Sequence, residues 1–206
     1  MATASFINES LQLLSERLKR LGFEESSGVF TIELGENASG WLGLNEARDR
    51  GDCFDVNPFV GIVDEQLEER VATLAGRGGG SGELPPSVTR HLAYLLSDSG
   101  GRSQPWRFCP DADVDEVADS LVAAVADHGL PFARRLTDRA ELARAIREYA
   151  FEEARAERLP VLYALMGDVA AARKVLDEEL AQVESDPSEA AEEFRRFAAA
   201  LERELS

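Results

Sequence analysis

The residue types that most often carry out chemistry are scarce in this chain. Its 206 residues include two histidines (His91 and His128) and two cysteines (Cys53 and Cys109). These four residues show none of the CxxC, HxxxH or HxH spacings of metal sites, and no GxSxG sequence surrounds a serine nucleophile. We therefore predict no metal site, no cofactor and no nucleophilic active site.

Carboxylates, by contrast, are abundant. The chain has 39 Asp and Glu against 22 Lys and Arg, a net charge of −17. With so many acids, the sequence singles out no general acid–base pair. Asp111, Asp113 and Asp115 alternate, but the Gly and Glu that an EF-hand loop requires are missing. Because acids are favoured at helix starts, we interpret these three as helix-capping residues.

The charge also bears on the kind of partner. Residues 1–110 hold 16 acids and 10 bases (net −6), and residues 111–206 hold 23 acids and 12 bases (net −11). Such a surface repels phosphate backbones, and Arg134-Arg135 is diluted by nearby acids, so no nucleic-acid binding is expected. Solubility is the simpler explanation of the excess of acids. The sharper hypothesis is a basic protein partner.

Neither a membrane segment nor a phosphate loop is predicted. No apolar run approaches the roughly 18 residues that span a bilayer. Glu9 interrupts the N-terminal stretch, so no signal peptide is expected. The Gly-rich residues 76–82 lack the Lys-Ser or Lys-Thr of a phosphate loop and indicate a flexible linker. We interpret the cysteines as reduced thiols of a cytoplasmic protein, with a Cys53–Cys109 disulfide as the alternative.

Five residues are candidates for binding. Trp41 lies on a predicted hairpin, Asn57 on a kinked strand, and Trp106 in a predicted loop next to Pro105. Arg90 and His91 fall in an apolar segment, and we interpret these two residues as part of a solvated edge. Large aromatic residues near loops anchor interfaces, although a tryptophan is more often part of the core.

The first half of the chain predicts a helix followed by strands. Apolar residues from Ile7 to Leu21 recur at spacings of four and three, and Gly22 supplies a left-handed helix end. Strands are predicted at 29–34 and 41–44, joined as a hairpin. A third strand is expected within 54–63, where Pro58 implies an edge or a bulge.

The second half predicts mainly helices. Asp64 is expected to cap a short helix, and residues 88–96 fit a strand or a helix, with a strand favoured. From Asp113 onward all segments are predicted helical, with start and end signals along the chain. Those signals are starts at Asp113, Asp138, Pro160, Asp168 and Asp186-Pro187-Ser188-Glu189, and ends at Gly129 and Gly167.

The order of these elements resembles the bacterial domain of unknown function family 4304. The matching residues are Leu18, Leu21-Gly22-Phe23, Phe30, Arg90-His91, Trp106 and Gly129-Leu130-Pro131-Phe132. The resemblance covers roughly residues 5–150 and leaves a helical C-terminal extension. It implies a fold and no site, because no established catalytic residues come with this family.

Together these patterns predict an α+β protein. We expect an antiparallel sheet of about three to five strands packed against helices, followed by an all-helical C-terminal section. The expected domains are residues 1–150 and 151–206. The leading functional hypothesis is a non-catalytic, cytoplasmic immunity or antitoxin-type inhibitor of a basic protein. The alternatives are an enzyme with a carboxylate/His pocket that includes His91, and a scaffold that self-associates through its C-terminal helices.

Overall fold

Alternating apolar residues and helix caps divide the chain into strands and helices in the computed structural model, which describes residues 4–48, 52–77, 83–98 and 106–206. The predicted α+β class is confirmed, with helices filling the C-terminal half. Residues 78–82 of the predicted linker, and the part of the predicted loop that precedes Trp106, lie outside the described residues. No helix in the described ranges is long and apolar enough to cross a membrane.

The chain forms two compact units. Unit 1 comprises the residues up to Ile62 together with Thr89–Arg135, and unit 2 comprises Val63–Val88 and Leu136–Ser206. A helix near residue 70 packs against the C-terminal helices and belongs with them to unit 2. The division at residue 150 that the sequence indicates stays a prediction.

The strands form two sheets. Five strands pair in the order β1-β2-β3-β6-β7, and three pair in the order β4-β5-β8. The strands are β1 (Glu24–Ser26), β2 (Val29–Gly35), β3 (Ala38–Gly43), β4 (Glu46–Arg48), β5 (Phe54–Val56), β6 (Phe59–Asp64), β7 (Val88–His91) and β8 (Trp106–Phe108).

The larger sheet contains the predicted hairpin. β2 and β3 are antiparallel, and Phe30 lies opposite Leu42, with both side chains buried. The predicted third strand is two strands, because Pro58 separates β5 from β6 and its carbonyl accepts a hydrogen bond from the Leu92 amide at 2.8 Å. The segment 88–96 is a strand only as far as His91 and helical from Leu92.

The smaller sheet was not predicted, and it corrects the interpretation of the cysteines. β5 and β8 are antiparallel with Phe54 opposite Phe108, and these two buried rings stack at 5.1 Å. This register places Cys53 opposite Cys109, with their Cα atoms 4.3 Å apart, and the two form a disulfide. The expectation of reduced thiols is therefore wrong, and the alternative is the observed state.

Most helix boundaries follow local signals. The first helix ends before Gly22, whose φ of +97° is the left-handed conformation predicted for it. The helices are α1 (Ala4–Arg20), α2 (Glu65–Leu74), α3 (Leu92–Asp98), α4 (Val114–Ala124), α5 (Leu130–Arg135), α6 (Arg139–Tyr149), α7 (Glu152–Leu165), α8 (Val169–Gln182) and α9 (Glu189–Glu204). The predicted caps are confirmed, since each of the following side chains accepts a backbone N–H at a helix start: Asp64, Asp113, Asp138, Asp168 and Ser188.

Gly129 does not end a helix as predicted. A π-helical turn, Val125–Gly129, joins α4 to α5, and the Leu130 amide donates to the Val125 carbonyl. A Cβ added at Gly129 would lie 3.1 Å from Cγ1 of Val60. Close packing against the sheet therefore accounts for this glycine, rather than helix termination.

Pro160 does not start a helix as predicted, because it lies inside α7. A proline in a helix interior removes one backbone hydrogen bond and costs about 3 kcal/mol. The residues around it, Leu159, Val161 and Leu162, are all buried. Packing on both sides of the proline therefore keeps the helix continuous, as tertiary contacts often override local preference.

Candidate functional site

The five residues predicted for binding all belong to unit 1, and two of them have structural roles. Trp106 is not in a loop: it begins β8, is 8% exposed, and donates from Nε1 to the Ser120 hydroxyl at 3.4 Å. The backbone N–H of Asn57 donates to the backbone carbonyls of Leu44 and Asn45, at 3.1 Å each. These contacts place Trp106 in the core and make Asn57 part of the junction between β5 and β6.

Trp41 and Arg90 are half-buried on strands of the larger sheet. Trp41 lies opposite Thr31, and its ring covers Gly43, where an added Cβ would come within 2.5 Å of the ring. Arg90 lies on β7, the last strand in the order of the larger sheet. Trp41 remains accessible enough to be a contact residue.

His91 joins β7 to α3. Its ring lies 5.0 Å from that of Phe59 and 5.7 Å from that of Tyr94, which is 61% exposed. Nδ1 accepts a hydrogen bond from the Ala93 amide at 3.1 Å, so the neutral imidazole carries its proton on Nε2. Burial lowers the pKa of His91. The geometry shows a helix-capping role.

This pKa predicts a pH dependence of stability. Because the pKa of His91 is lower in the folded state than its unfolded value of about 6.5, the unfolded chain takes up the proton first. The contribution of His91 to the free energy of unfolding is therefore present above about pH 6.5 and is lost as the pH falls towards the folded-state pKa.

The variant His91→Asn tests this prediction, because its side-chain oxygen can accept the same hydrogen bond and does not titrate. We expect a smaller loss of stability between pH 7.5 and 6.0 in this variant, as measured by urea unfolding; an equal loss would contradict the assignment.

A groove in unit 2 is lined by none of these five residues. It has a volume of about 890 Å³ and is lined by α2, by α7 and by the segment 83–85. A cavity of this size is in the range of sites that bind ligands or several side chains. We take it as the candidate functional site.

The floor of the groove is a buried ion pair. The Glu68 side chain is 2% exposed, and the Arg158 side chain is 15% exposed. Arg158 donates to both carboxylate oxygens of Glu68, at 2.8 and 2.9 Å. Such a bidentate pair fixes the relative position of α2 and α7 as well as compensating both charges.

A second polar cluster positions the start of α2. The Asp64 carboxylate caps this helix by accepting the Leu67 amide at 3.0 Å, and it also accepts from Arg139 Nε at 3.0 Å. Arg139 further donates to Gln66 Oε1 at 2.7 Å, and the Ser87 hydroxyl accepts the Asp64 amide at 3.0 Å. The first turn of α2, and with it Glu68, is therefore held by side chains from α6 and from the residue before β7.

The groove carries an excess of negative charge. Its lining includes five glutamates and two arginines, and both arginines are paired within it, Arg158 with Glu68 and Arg77 with Glu157. The other three, Glu69, Glu83 and Glu153, are exposed and form no ion pair with any described residue. These groove carboxylates project from α2, from the segment 83–85 and from α7. An incoming cation can meet them without displacing an existing pair.

Part of the groove lining is apolar. The apolar lining consists of Val71, Ala72, Leu84, Pro85 and Ala154, and we call Leu84, Pro85 and Ala154 the apolar wall. The lining contains no histidine, cysteine or serine. In the part of the chain that is described, no three His, Cys, Asp or Glu residues lie close enough to hold a metal ion. The arrangement is suited to binding a cation that also has an apolar portion.

Sequence reasoning missed this groove, although one signal was present. Glu68 directly follows Leu67 and lies at the border of the apolar stripe of α2, where a buried carboxylate is expected to be paired. Its partner Arg158 lies 90 residues away. The signal could have identified a buried ion pair but not the helix that supplies the arginine.

Comparisons with known proteins add no family to this description. No family model, no curated protein and no solved structure matches the chain. The resemblance to family 4304 therefore stays a prediction.

Proposed function

We propose that this protein binds a basic protein partner without catalysis, as an immunity or antitoxin-type inhibitor. The observation that carries the proposal is the groove of unit 2, in which Glu69, Glu83 and Glu153 remain unpaired beside an apolar wall. Charged groups that become desolvated in an interface contribute specificity and slow dissociation. A basic segment of the partner would compensate all three carboxylates.

A second acidic surface supports the proposal. Residues 175–194 contain eight acids and no Lys or Arg. Five of these acids are exposed and pair with no described residue: Asp177, Glu184, Glu189, Glu192 and Glu193. This acidic turn, formed by the end of α8 and the start of α9, would attract a cationic protein from a distance and speed its association.

The proposed location is the cytoplasm. The Cys53–Cys109 disulfide is the observation that weighs against it, because glutathione and thioredoxin keep most cytosolic thiols reduced. Alkylation of thiols in intact cells reads the redox state directly: blocked cysteines support the cytoplasm, and unreactive ones support an oxidising compartment.

Self-association is a second candidate. A smaller groove of about 240 Å³ on the C-terminal helices is lined by apolar residues that include Val161, Val169 and Leu201. Met166 and Val169 are 40% and 36% exposed. An exposed apolar surface of this kind can hold a second copy of the chain.

The proposed function predicts a salt-sensitive partner. Immobilised protein is expected to retain a stoichiometric basic protein from the lysate of its source cell at about 50 mM salt and to release it at about 500 mM. A variant with the groove carboxylates neutralised (E69Q/E83Q/E153Q, the groove variant) should retain little of it. Native mass spectrometry of the retained sample distinguishes a partner from a second copy. Equal retention by the groove variant would refute the assignment of the groove.

A matched control removes the same charge elsewhere. The variant D177N/E184Q/E193Q (the turn variant) neutralises three unpaired carboxylates of the acidic turn, which lie outside the groove lining. It should still retain the partner at equilibrium. Thermal unfolding of both variants checks that neither substitution set disturbs the fold.

A further inference from the structure

We infer that the groove of unit 2 binds an extended basic peptide segment, with lysine or arginine stems on the apolar wall and their charged groups at the groove carboxylates. This inference rests on the proposed function and specifies the chemistry of the partner at that site. It names the part of the partner that enters the groove.

The charge arrangement favours a cation with several separated charges. Glu69, Glu83 and Glu153 belong to three different segments of the chain, and none has an ion-pair partner among the described residues. They do not form a group that could hold one metal ion. A ligand that pairs with all three carboxylates must therefore carry several cationic groups. A peptide with several Lys or Arg side chains along an extended backbone supplies them.

The apolar wall favours side chains with a long aliphatic stem. Leu84 and Ala154 are half-buried, and Pro85 is exposed. Lysine and arginine cover apolar surface with their methylene groups while keeping the charged end at a polar partner. A small inorganic cation would leave this wall uncovered.

The buried ion pair at the floor of the groove limits how deeply a bound peptide can enter. Glu68 already receives two hydrogen bonds from Arg158, and its side chain is 2% exposed. Breaking a buried pair leaves an uncompensated charge, so an incoming cation is held above the floor by the three exposed carboxylates. The segment therefore lies along the groove rather than entering the core of unit 2.

Tetralysine, acetylated at its N-terminus and amidated at its C-terminus, is the probe. Titration into the full chain at about 50 mM salt should give saturable binding of one peptide per chain. In the groove variant, the loss of three ion pairs should weaken binding by about tenfold. In Leu84→Ser, which keeps the charge and reduces the apolar wall, we expect about threefold weakening. The turn variant should change affinity less than about twofold.

Several results would overturn the inference. Equal weakening in the groove and turn variants would show diffuse attraction to an acidic surface. Unchanged affinity in Leu84→Ser would exclude a contribution of the apolar wall to binding. Equal or tighter binding of spermine in the groove would favour a linear polyamine as the ligand.

Two further outcomes separate this inference from the proposed function. If a protein partner depends on the groove but tetralysine does not bind, the peptide inference fails and the proposed function stands. If tetralysine binds in the groove but no protein partner is retained, the ligand class stands and the proposed function fails.

Discussion

Replacing Arg158 with methionine is expected to lower the free energy of unfolding by about 3–5 kcal/mol. The variant leaves the Glu68 carboxylate without its partner at a position where the side chain is 2% exposed. A buried, unpaired carboxylate loses far more hydration than its remaining neighbours replace. Urea unfolding followed by far-UV circular dichroism measures the change.

Two further variants make this result specific. The double variant E68M/R158M removes both charges and should recover most of the lost stability, because apolar residues of similar size can replace a buried pair. Arg173→Met breaks the Arg173–Glu202 pair, whose side chains are 44% and 49% exposed, and should cost less than about 1 kcal/mol. If Arg158→Met cost no more than Arg173→Met, the ion pair would not hold α2 against α7.

Removing the disulfide is expected to have the second large effect. Cys53 and Cys109 are separated by 56 residues, and closing a loop of that length stabilises the folded state by about 4 kcal/mol through the entropy of the unfolded chain. The variant C53A/C109A should therefore unfold at a lower urea concentration than the wild type. Tryptophan fluorescence reports this change, because Trp41 and Trp106 both belong to unit 1.

Reduction provides the control for that prediction. A phosphine reductant should shift the wild-type transition to that of C53A/C109A and leave the transition of the variant unchanged. Coincident transitions of oxidised and reduced wild type would show that the disulfide adds no stability. In that case the pairing of β5 with β8 would hold the smaller sheet without the cross-link.

Local features of the fold were predictable from the sequence because neighbouring residues determine them. Gly22 ends α1 in the left-handed conformation, and Asp64, Asp113 and Asp138 cap their helices as predicted. The hairpin of β2 and β3 follows from alternating apolar residues on either side of a polar turn. Each of these features needs only a few consecutive residues.

Features that depend on distant contacts were not predictable. Gly129 and Pro160 carry the usual signals of a helix end and a helix start, yet packing against Val60 and within α7 overrides them. The strands of the smaller sheet are three residues long, too short to show an alternating pattern. The disulfide depends on the register of that sheet.

The candidate site was unpredictable for the same reason. The sequence identified Trp106 and His91 as binding residues, and the structure gives the first a core position and the second a helix-capping role. Arg158 and Glu68 meet only because α7 packs against α2. Net charge is the basis for proposing a basic partner, but the groove that would receive it becomes visible only after unit 2 is folded.

The most direct test of this account is the dissociation rate of the retained partner from three immobilised proteins. The groove variant should release the partner at least about tenfold faster than the wild type, since its three carboxylates would be buried in the complex. The turn variant should slow association, with strong dependence on salt, and leave dissociation unchanged. Faster dissociation from the turn variant, with wild-type dissociation from the groove variant, would contradict the account and place the interface on the acidic turn.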